Sequence, residues 1–437
     1  MRTKNIENYF QKITKVCYNY IKYNSMRKTG RHTFVIDGNY FLFRTLYVLP
    51  RKSKKEGMLA TDEDAIVFMR KLATDFAYQI RLFEGLIDKV VWTIDSRSWR
   101  KDFYPDAEYK GNRKQDTTIN WKNFSKVTDE FTQLLVKQGV IFSKIDGTEG
   151  DDLMYAWNTE SLANDKSVIM FTGDRDLVQL VNRSDTNSTH TILFSPAHKK
   201  MYTYQGFSEW LTTTEDETSK DIFDVLKSSS TPEAQSKKLL ASIIDKKKVS
   251  VIEVDPEEFR FRKVLTGDSG DNVPPAYWHI STPKNGKSRR YGISEGKATA
   301  IIDEFKQKHG TLSHMYLYED GYITDLANIT IRHMKAKHMS REQIITNLKS
   351  NVNLMVLSSH TIPEGILDEM FKSVESQINV NELKLPNVST MKKIVAGTEY
   401  DGDDNSAFKA SFFKDDNDSD KNDMSFITNK KSKGKIF

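Results

Sequence analysis

The chain has one cysteine, Cys17. An intrachain disulfide is therefore excluded, and so is a cysteine-rich zinc site; a reducing, cytoplasmic setting suits it. No apolar run approaches the ~20 residues of a membrane span, so no membrane association is expected. The first residues lack the unbroken apolar stretch of a signal peptide, and no internal repeat is visible. What remains is a chain of 437 residues, 38% hydrophobic and 29% charged, long enough for two domains with polar extensions. Its formal charge of +5 is a mild basic excess whose placement matters more than its size.

Carboxylates recur where strands should end. Asp37 closes HTFVID, Asp95 closes KVVWTID, and Asp174 closes SVIMFTGD with Asp176 two residues on. Glu149, Asp151 and Asp152 follow the strand-like VIFSKID, and Asp268 and Asp271 lie in GDSGDN. A single aspartate after a strand usually caps the next helix or makes a turn. In an open parallel sheet, however, the strand C-termini share one edge, where ligands bind. Neighbouring anions repel one another, so protons or cations must neutralise them, and hard divalent cations prefer oxygen ligands. The pattern points to a magnesium site for phosphoryl-transfer chemistry.

Strand patterns at 32–37, 89–95, 140–145, 167–173 and 190–194 alternate with helix patterns at 61–86, 125–138 and 150–164. That alternation predicts an α/β fold with a mostly parallel, doubly wound sheet. Residues 1–30 read as an added helix, 31–206 as the α/β domain, 207–255 as an insertion or linker, 256–390 as a helical domain, and 391–437 as a charged, disordered tail. Within the tail, 401–423 holds eight Asp and an apolar island of Phe408, Phe412 and Phe413.

Two further stretches carry chemistry. Residues 97–126 hold eight Lys or Arg against four Asp or Glu, interleaved with Trp99, Phe103, Tyr104, Tyr109, Trp121 and Phe124. Cations track a phosphate backbone and rings stack on unpaired bases; a solvated loop with partly buried rings is the plainer alternative. The expected phosphate contacts there include Arg100, Lys101 and Lys114. Downstream, GISEGKATAII is a glycine-bearing turn opening a helix, where Gly292 and Lys297 can meet a phosphate. Before it, PKNGKSRR adds Lys284, Lys287, Arg289 and Arg290.

Together IDGNYFLFR, WTIDSRSWRKDFYPDAEYKGNRK, TEGDDLMYAW, FTGDRDLVQLV, SPAHKKMY, VLTGDSGDNVP and GISEGKATAIIDEF resemble the structure-specific 5′-nuclease family of flap endonucleases and 5′-3′ exonucleases, above all the T-even phage type called ribonuclease H. The resemblance implies a PIN-like nuclease domain, a helical arch over 97–126 and a helix–three-turn–helix element over 264–306 that grips duplex DNA. It implies that the nine acids named above are the metal-binding carboxylates for two Mg²⁺ ions, some of them holding metal-bound water and not the ion itself, with Mn²⁺ able to substitute. Lys110 would act near the scissile phosphate, flanked by Tyr109 and Arg113, and Arg44 would contact the scissile region. The implied substrates are 5′-flap, nicked or branched DNA and RNA·DNA hybrid, and the implied role is primer removal by a monomer in an infected bacterial cell. A sliding clamp or single-strand-binding protein is the partner expected for the tail.

Two departures stand out. Close relatives carry G-I-G-x-K-T-A where this chain reads Gly292-Ile293-Ser294-Glu295-Gly296-Lys297-Ala298, and the spacer after GDSGDN is long. A PIN-like ribonuclease and a non-catalytic binder of branched DNA are the competing readings. The helical segment after GDSGDN disfavours the first, and the full set of carboxylates disfavours the second.

Overall fold

A computed structural model describes residues 32–49, 57–184, 189–212, 232–282, 286 and 288–378. The helix expected over 1–30, the tail over 391–437, and Lys284 and Lys287 lie outside the described residues.

Strand β1 (His32–Asp37) is the centre of the molecule. Phe34, Val35 and Ile36 are fully buried in succession, the unbroken apolar run of a strand covered on both faces. Around it lie β2 (Ile87–Thr93), β3 (Ile141–Ser143), β4 (Ser167–Phe171), β5 (Asn182–Arg183), β6 (His190–Ser195), β7 (Lys200–Tyr204) and β8 (Ser250–Val254), in the order β3-β2-β1-β4-β6-β7-β8, with β5 paired to β6. Strands β3, β2, β1, β4 and β6 pair in parallel, as the alternating pattern predicts. Their register sets Asp37 opposite Thr93 and Ile36 opposite Phe171, so β1, β2 and β4 end level with one another. The β6–β7 pair is antiparallel, because the connection over 196–199 is far too short for a parallel crossover.

Helices α1 (Gly38–Tyr47), α2 (Asp62–Phe83), the short α3 (Trp99–Phe103), α4 (Trp121–Lys137) and α5 (Gly150–Ala163) fill the connections. Helix α2 starts at a reciprocal cap: the Asp64 N–H donates to Thr61 Oγ1 at 3.2 Å and the Thr61 N–H to Asp64 Oδ2 at 3.1 Å, which satisfies two otherwise orphaned donors. Its Ala65, Phe68, Met69, Leu72 and Phe76 recur at helical spacing and are buried.

The stretch expected as insertion or linker holds α6 (Phe207–Thr212), α7 (Pro232–Lys247) and β8. Leu239, Leu240 and Ile243 of α7 join the sheet core, and β8 pairs in parallel with β7. After it come α8 (Pro256–Thr266), a two-stranded ribbon of β9 (Trp278–Ser281) and β10 (Arg289–Gly292), then α9 (Glu295–His309), α10 (Asp320–Met334), α11 (Arg341–Met355) and α12 (Glu364–Ile378). Helices α8 to α11 build a second core around Phe261, Leu265, Ile301, Phe305, Leu326 and Leu348. Helix α12 returns to the first, where Met370, Val374 and Ile378 are buried.

The two units are stitched together at Gln179. Its Nε2 donates to Met355 O at 3.1 Å and its Oε1 accepts from Leu357 N at 2.8 Å. A buried side-chain amide here stands in for a backbone partner, which keeps both groups satisfied. The stretch 97–126 is only partly helical: α3, a 3₁₀ turn at Pro105–Ala107, irregular turns, and then the first residues of α4. Trp99, Tyr109 and Phe124 are buried, so these rings are packing; Phe103, 58% exposed, is the one ring of that group left bare.

Candidate active site

The level strand ends bring carboxylates together at one edge of the sheet, hereafter the cleft. Asp37 ends β1 and caps α1; its Oδ1 accepts from the Tyr40 N–H at 2.9 Å and its Oδ2 from Thr172 Oγ1 at 2.7 Å. Asp95, just past β2, accepts from the Gly150 N–H at 2.6 Å. A Cβ on Gly150 would lie 2.9 Å from that same oxygen, so glycine is what allows the first amide of α5 to approach. Asp174 follows β4 and accepts from the Asp176 N–H at 2.8 Å. Asp151 stands in the first turn of α5.

These four share an electrostatic condition. Among the described residues, none of Asp37, Asp95, Asp151 and Asp174 makes an ion pair. Desolvation raises the Asp37 carboxyl despite its hydrogen bonds. Desolvation, opposed by Lys110 but joined by Glu149 and Asp37 nearby, pushes Asp95 up to about 6. Desolvation and then Asp152 push Asp151 well above the ordinary carboxylate range. Asp174 opens onto the cleft, and the surrounding protein mass, followed by Asp176, pushes it up to about 7. Lys110 opposes the rise at Asp37, Asp95 and Asp151 without cancelling it, so burial and like charge prevail at all four.

The other acids are pinned. Glu149, which caps α5, accepts from Lys110 Nζ, from Arg100 Nη1 at 3.0 Å and from Tyr109 OH at 3.1 Å. Burial would raise it, but Lys110 and Arg100 outweigh burial and hold it at about 2. Asp271 accepts from Arg113 Nη2 and, at 3.2 Å, from Tyr109 OH. Lys263 of α8 joins Asp176 at 2.8 Å to Asp268 at 2.5 Å. Burial alone would also raise Asp268, yet Lys263 holds it below its usual value. The turn bearing Lys110 sits directly on the GDSGDN loop: the Lys110 N–H donates to Asp271 O at 2.8 Å and Asn112 Nδ2 to Ser269 O at 3.0 Å. That loop turns at Gly267, whose φ is +66° and whose added Cβ would lie 2.5 Å from Pro274 carbonyl atoms.

No three His, Cys, Asp or Glu side chains among the described residues converge closely enough to hold an ion as they stand. The donor set nevertheless suits one. Its ligands are oxygens, four of them carry no cation, and Lys110, Arg113 and Lys263 supply positive charge where the remaining acids would otherwise repel.

Several sequence expectations change. Asp152 is fully buried; it accepts from Arg100 Nη1 and Nη2 at 3.1 and 2.9 Å, from Trp99 Nε1 at 3.1 Å and from the Glu149 N–H at 3.0 Å. Both its oxygens are engaged, so its place is structural. Arg100, expected to touch nucleic acid, is 1% exposed. Its Nε donates to Leu354 O at 3.0 Å and its guanidinium lies 4.5 Å from the Trp99 ring centroid, so it ties α3 and α5 to the end of α11. Tyr109 is buried with its hydroxyl given to Glu149 and Asp271, so it braces the acids beside Lys110. Arg44 lies on α1, its guanidinium 5.8 Å from the Phe41 and Phe171 rings, with Nη1 buried and unpartnered.

Lys101 is half-buried and Lys114 exposed. Gly292 backs onto Pro275, whose Cγ lies 2.5 Å from an added Cβ; Lys297 is exposed and reaches His333 O at 3.3 Å. Arg289 and Arg290 stand on the exposed ribbon, apart from the carboxylates. The sequence reading missed Lys263 and Thr172. Lys263 carries no local signal beyond lying five residues before Asp268. Thr172 was available in FTGD, directly after a strand.

A family model for the 5′-3′ exonuclease N-terminal, resolvase-like domain matches residues 32–211. DNA polymerase I of Mycobacterium tuberculosis (strain ATCC 25618 / H37Rv) is 27% identical over 155 residues, 34% of this chain and 15% of the polymerase. DNA polymerase I of Rhizobium leguminosarum is 26% identical over 160 residues, 36% of this chain and 15% of the polymerase. The chain thus spans only a small part of those relatives. Among solved structures, the T5 D15 protein co-crystallised with metal ions aligns with 79% of this chain and 99% of its own, at 16% identity and a TM-score of 0.45. The catalytic core of Rad2 in complex with DNA substrate aligns with 84% of this chain and 92% of its own, at 12% identity and a TM-score of 0.31. Over residues 32–211 the chain is thus similar to 5′-3′ exonuclease N-terminal, resolvase-like domains.

Proposed function

We propose that this protein is a divalent-metal-dependent 5′-nuclease that hydrolyses phosphodiester bonds in flapped, nicked or branched DNA and in RNA·DNA hybrid. The observation that carries the reading is the set of four carboxylates, Asp37, Asp95, Asp151 and Asp174, gathered at one sheet edge, ion-paired to no side chain among the described residues and each raised by burial even with Lys110 nearby. These four would hold Mg²⁺ or Mn²⁺, with Glu149, Asp176, Asp268 and Asp271 completing the anionic lining. The bound ions supply what a phosphodiester needs, neutralising its charge and making water a stronger nucleophile at neutral pH.

The remaining work belongs to the chain's own residues. Burial would lower the Lys110 ammonium, but Glu149, Asp271 and Asp151 overcome this and hold it above its ordinary value, so it stays a cation through the working pH range. A fixed cation at the cleft stabilises charge that develops on a phosphate oxygen. Tyr109 holds Glu149 and Asp271 together beneath it. Arg113 offers a second cation, in contact with Asp271. Primer removal during phage replication fits this chemistry, with a clamp or single-strand-binding protein met through the tail.

Incubation with 5′-flap DNA, RNA·DNA hybrid and structured RNA, with Mg²⁺ and with EDTA, tests the proposal. Mg²⁺-dependent cleavage of flap and hybrid is expected. Cleavage restricted to structured RNA would support a PIN-like ribonuclease instead, and tight flap binding with no cleavage in any divalent metal would make the protein a binder.

A further inference from the structure

The turn after β4 carries two of the acids at the cleft, and it is held from both units. Asp174 caps, and Asp176 lies within, a 3₁₀ helix over Arg175–Leu180. Six residues are a long run for 3₁₀ hydrogen bonds, whose geometry is poor, so the shape of this turn depends on ties from outside. On the sheet side the tie is Thr172. Its Oγ1 accepts from the Asp174 N–H at 3.0 Å and donates to Asp37 Oδ2 at 2.7 Å.

On the other side the tie is Gln179, 2% exposed. Its Nε2 donates to Asp176 O at 2.9 Å, three residues back in the same turn, and to Met355 O at 3.1 Å, while its Oε1 accepts from Leu357 N at 2.8 Å. One buried amide thus closes the acidic turn and joins it to the chain leaving α11. Asp176 in turn donates its N–H to Asp174 Oδ1 at 2.8 Å. Only an amide side chain can give hydrogens to two carbonyls and accept from an N–H at once. A carboxylate there would face two carbonyl oxygens with nothing to donate.

The backbone of Gln179 is held as well. Its carbonyl accepts from Arg260 Nη2 of α8, and Arg260 Nη1 pairs with Glu257 at 2.6 Å. Glu257 accepts in turn from the His314 N–H. Lys263, one helical turn on from Arg260, adds its pair with Asp176 at 2.8 Å. Close packing is missing at this point: a cavity of about 270 Å³, lined by Tyr155, Gln179, Arg260, His314 and His360 among others, lies in the seam between the units. Atoms that line a void lack dispersion partners on that side, so hydrogen bonds set how far the turn stands from the helical unit.

We infer that Gln179, with Arg260 behind it, is a positioning residue for the metal cleft, an inference that rests on the nuclease reading. Among the described residues its side chain bonds to no cleft carboxylate; it acts through the Asp176 carbonyl, and through the Asp176 N–H on Asp174. Groups that orient metal-binding side chains from behind are worth about 10–100-fold in metal affinity. A residue that merely joined the two units would change stability and leave metal affinity alone.

Calorimetric titration of the metal-free full chain with Mn²⁺ tests this without asking for cleavage. Gln179→Met keeps the size of the side chain and none of its three bonds, and should bind Mn²⁺ at least about tenfold more weakly. Arg260→Lys can keep only one of the two guanidinium contacts and should fall between that variant and the wild type. Its side chain is 12% exposed, so the change is tolerated there, and it carries the test if Gln179→Met does not fold. Phe305→Leu, in the helical core, should lower the denaturant midpoint yet leave Mn²⁺ affinity within about twofold, which separates lost positioning from lost stability. Wild-type Mn²⁺ affinity in Gln179→Met, or in Arg260→Lys should the first not fold, would overturn the inference alone. So would an equal loss in Phe305→Leu. No Mn²⁺ binding by the wild type would overturn the nuclease reading and this inference with it.

Discussion

At the end of the sheet where β1 begins, His32 Nε2 lies 3.2 Å from His190 Nε2, and Lys166 closes a 2.6 Å bridge to Asp88. Where β1 stops, Asp37, Asp95, Asp151 and Asp174 gather, and among the described residues none of them is ion-paired. The same strands build both ends, so the sheet does not demand an accumulation of anions. At one end charges pair with neighbouring side chains; at the other, burial and mutual repulsion raise these carboxyls although Lys110 lies nearby. A protein holds such carboxyls where a ligand is meant to relieve them.

The comparison can be broken first at the cleft. Asp174→Asn and Asp95→Asn should each reduce cleavage of flap DNA by several orders of magnitude while leaving binding in EDTA intact. Because each removes a repelling charge, the metal-free protein should melt at an equal or higher temperature. A clear fall in melting temperature together with lost activity would mean that these acids hold the fold.

The pinned acids should behave in the opposite way. Arg100→Ala leaves Asp152 buried without its partner, an arrangement that costs about 3–5 kcal/mol, read as a lower denaturant midpoint. Arg100→Lys should recover only part of it, since an ammonium cannot reproduce the two-pronged contact with Asp152. Lys110→Ala should also lower the denaturant midpoint, because buried Glu149 loses its larger positive partner, and should lower the single-turnover rate by about 10²–10³-fold, the scale for losing a charge that stabilises a transition state, with little effect on affinity. An unchanged rate with weaker binding would make Lys110 a phosphate anchor only.

The smallest effect sharpens the contrast from the far end. Glu84 ends α2 and leads towards the start of β2; burial pushes its carboxyl up to about 7, with Arg81 opposing. Its folded-state value lies above the ordinary 4.5, so the stability it lends is present below that value and fades as pH rises through about 7. Glu84→Gln should flatten the dependence of stability on pH over that window, with or without Mg²⁺. A slope that responds to Mg²⁺ would tie Glu84 to the cleft.

Much of this was legible in the sequence. Asp37, Asp95 and Asp174 could be placed because each ends an apolar run, and parallel pairing then makes the ends level. Strand β8 and helix α7 were hidden in a stretch dominated by polar residues, although Leu239, Leu240 and Ile243 already had helical spacing. Arg100 read as a surface cation because its neighbours in sequence are basic; its burial depends on Asp152, 52 residues away, and on Leu354, 254 away. Lys263 was unreadable for the same reason, since its pairing with Asp176 joins two separate units. Periodicity reports which face an element buries, whereas pairing between distant charges appears only once the chain has folded.

The central claim, that the cleft lacks positive charge because divalent cations belong there, is tested most directly by thermal melting of the metal-free protein titrated with Mg²⁺ or Mn²⁺. Ions that bind only the folded state raise the melting temperature in proportion to the logarithm of their concentration once the site fills. The account predicts a rise for the wild type that continues with the logarithm of metal concentration and is lost in Asp37→Asn/Asp174→Asn. An equal rise in both proteins, or none in the wild type up to millimolar metal, would contradict it.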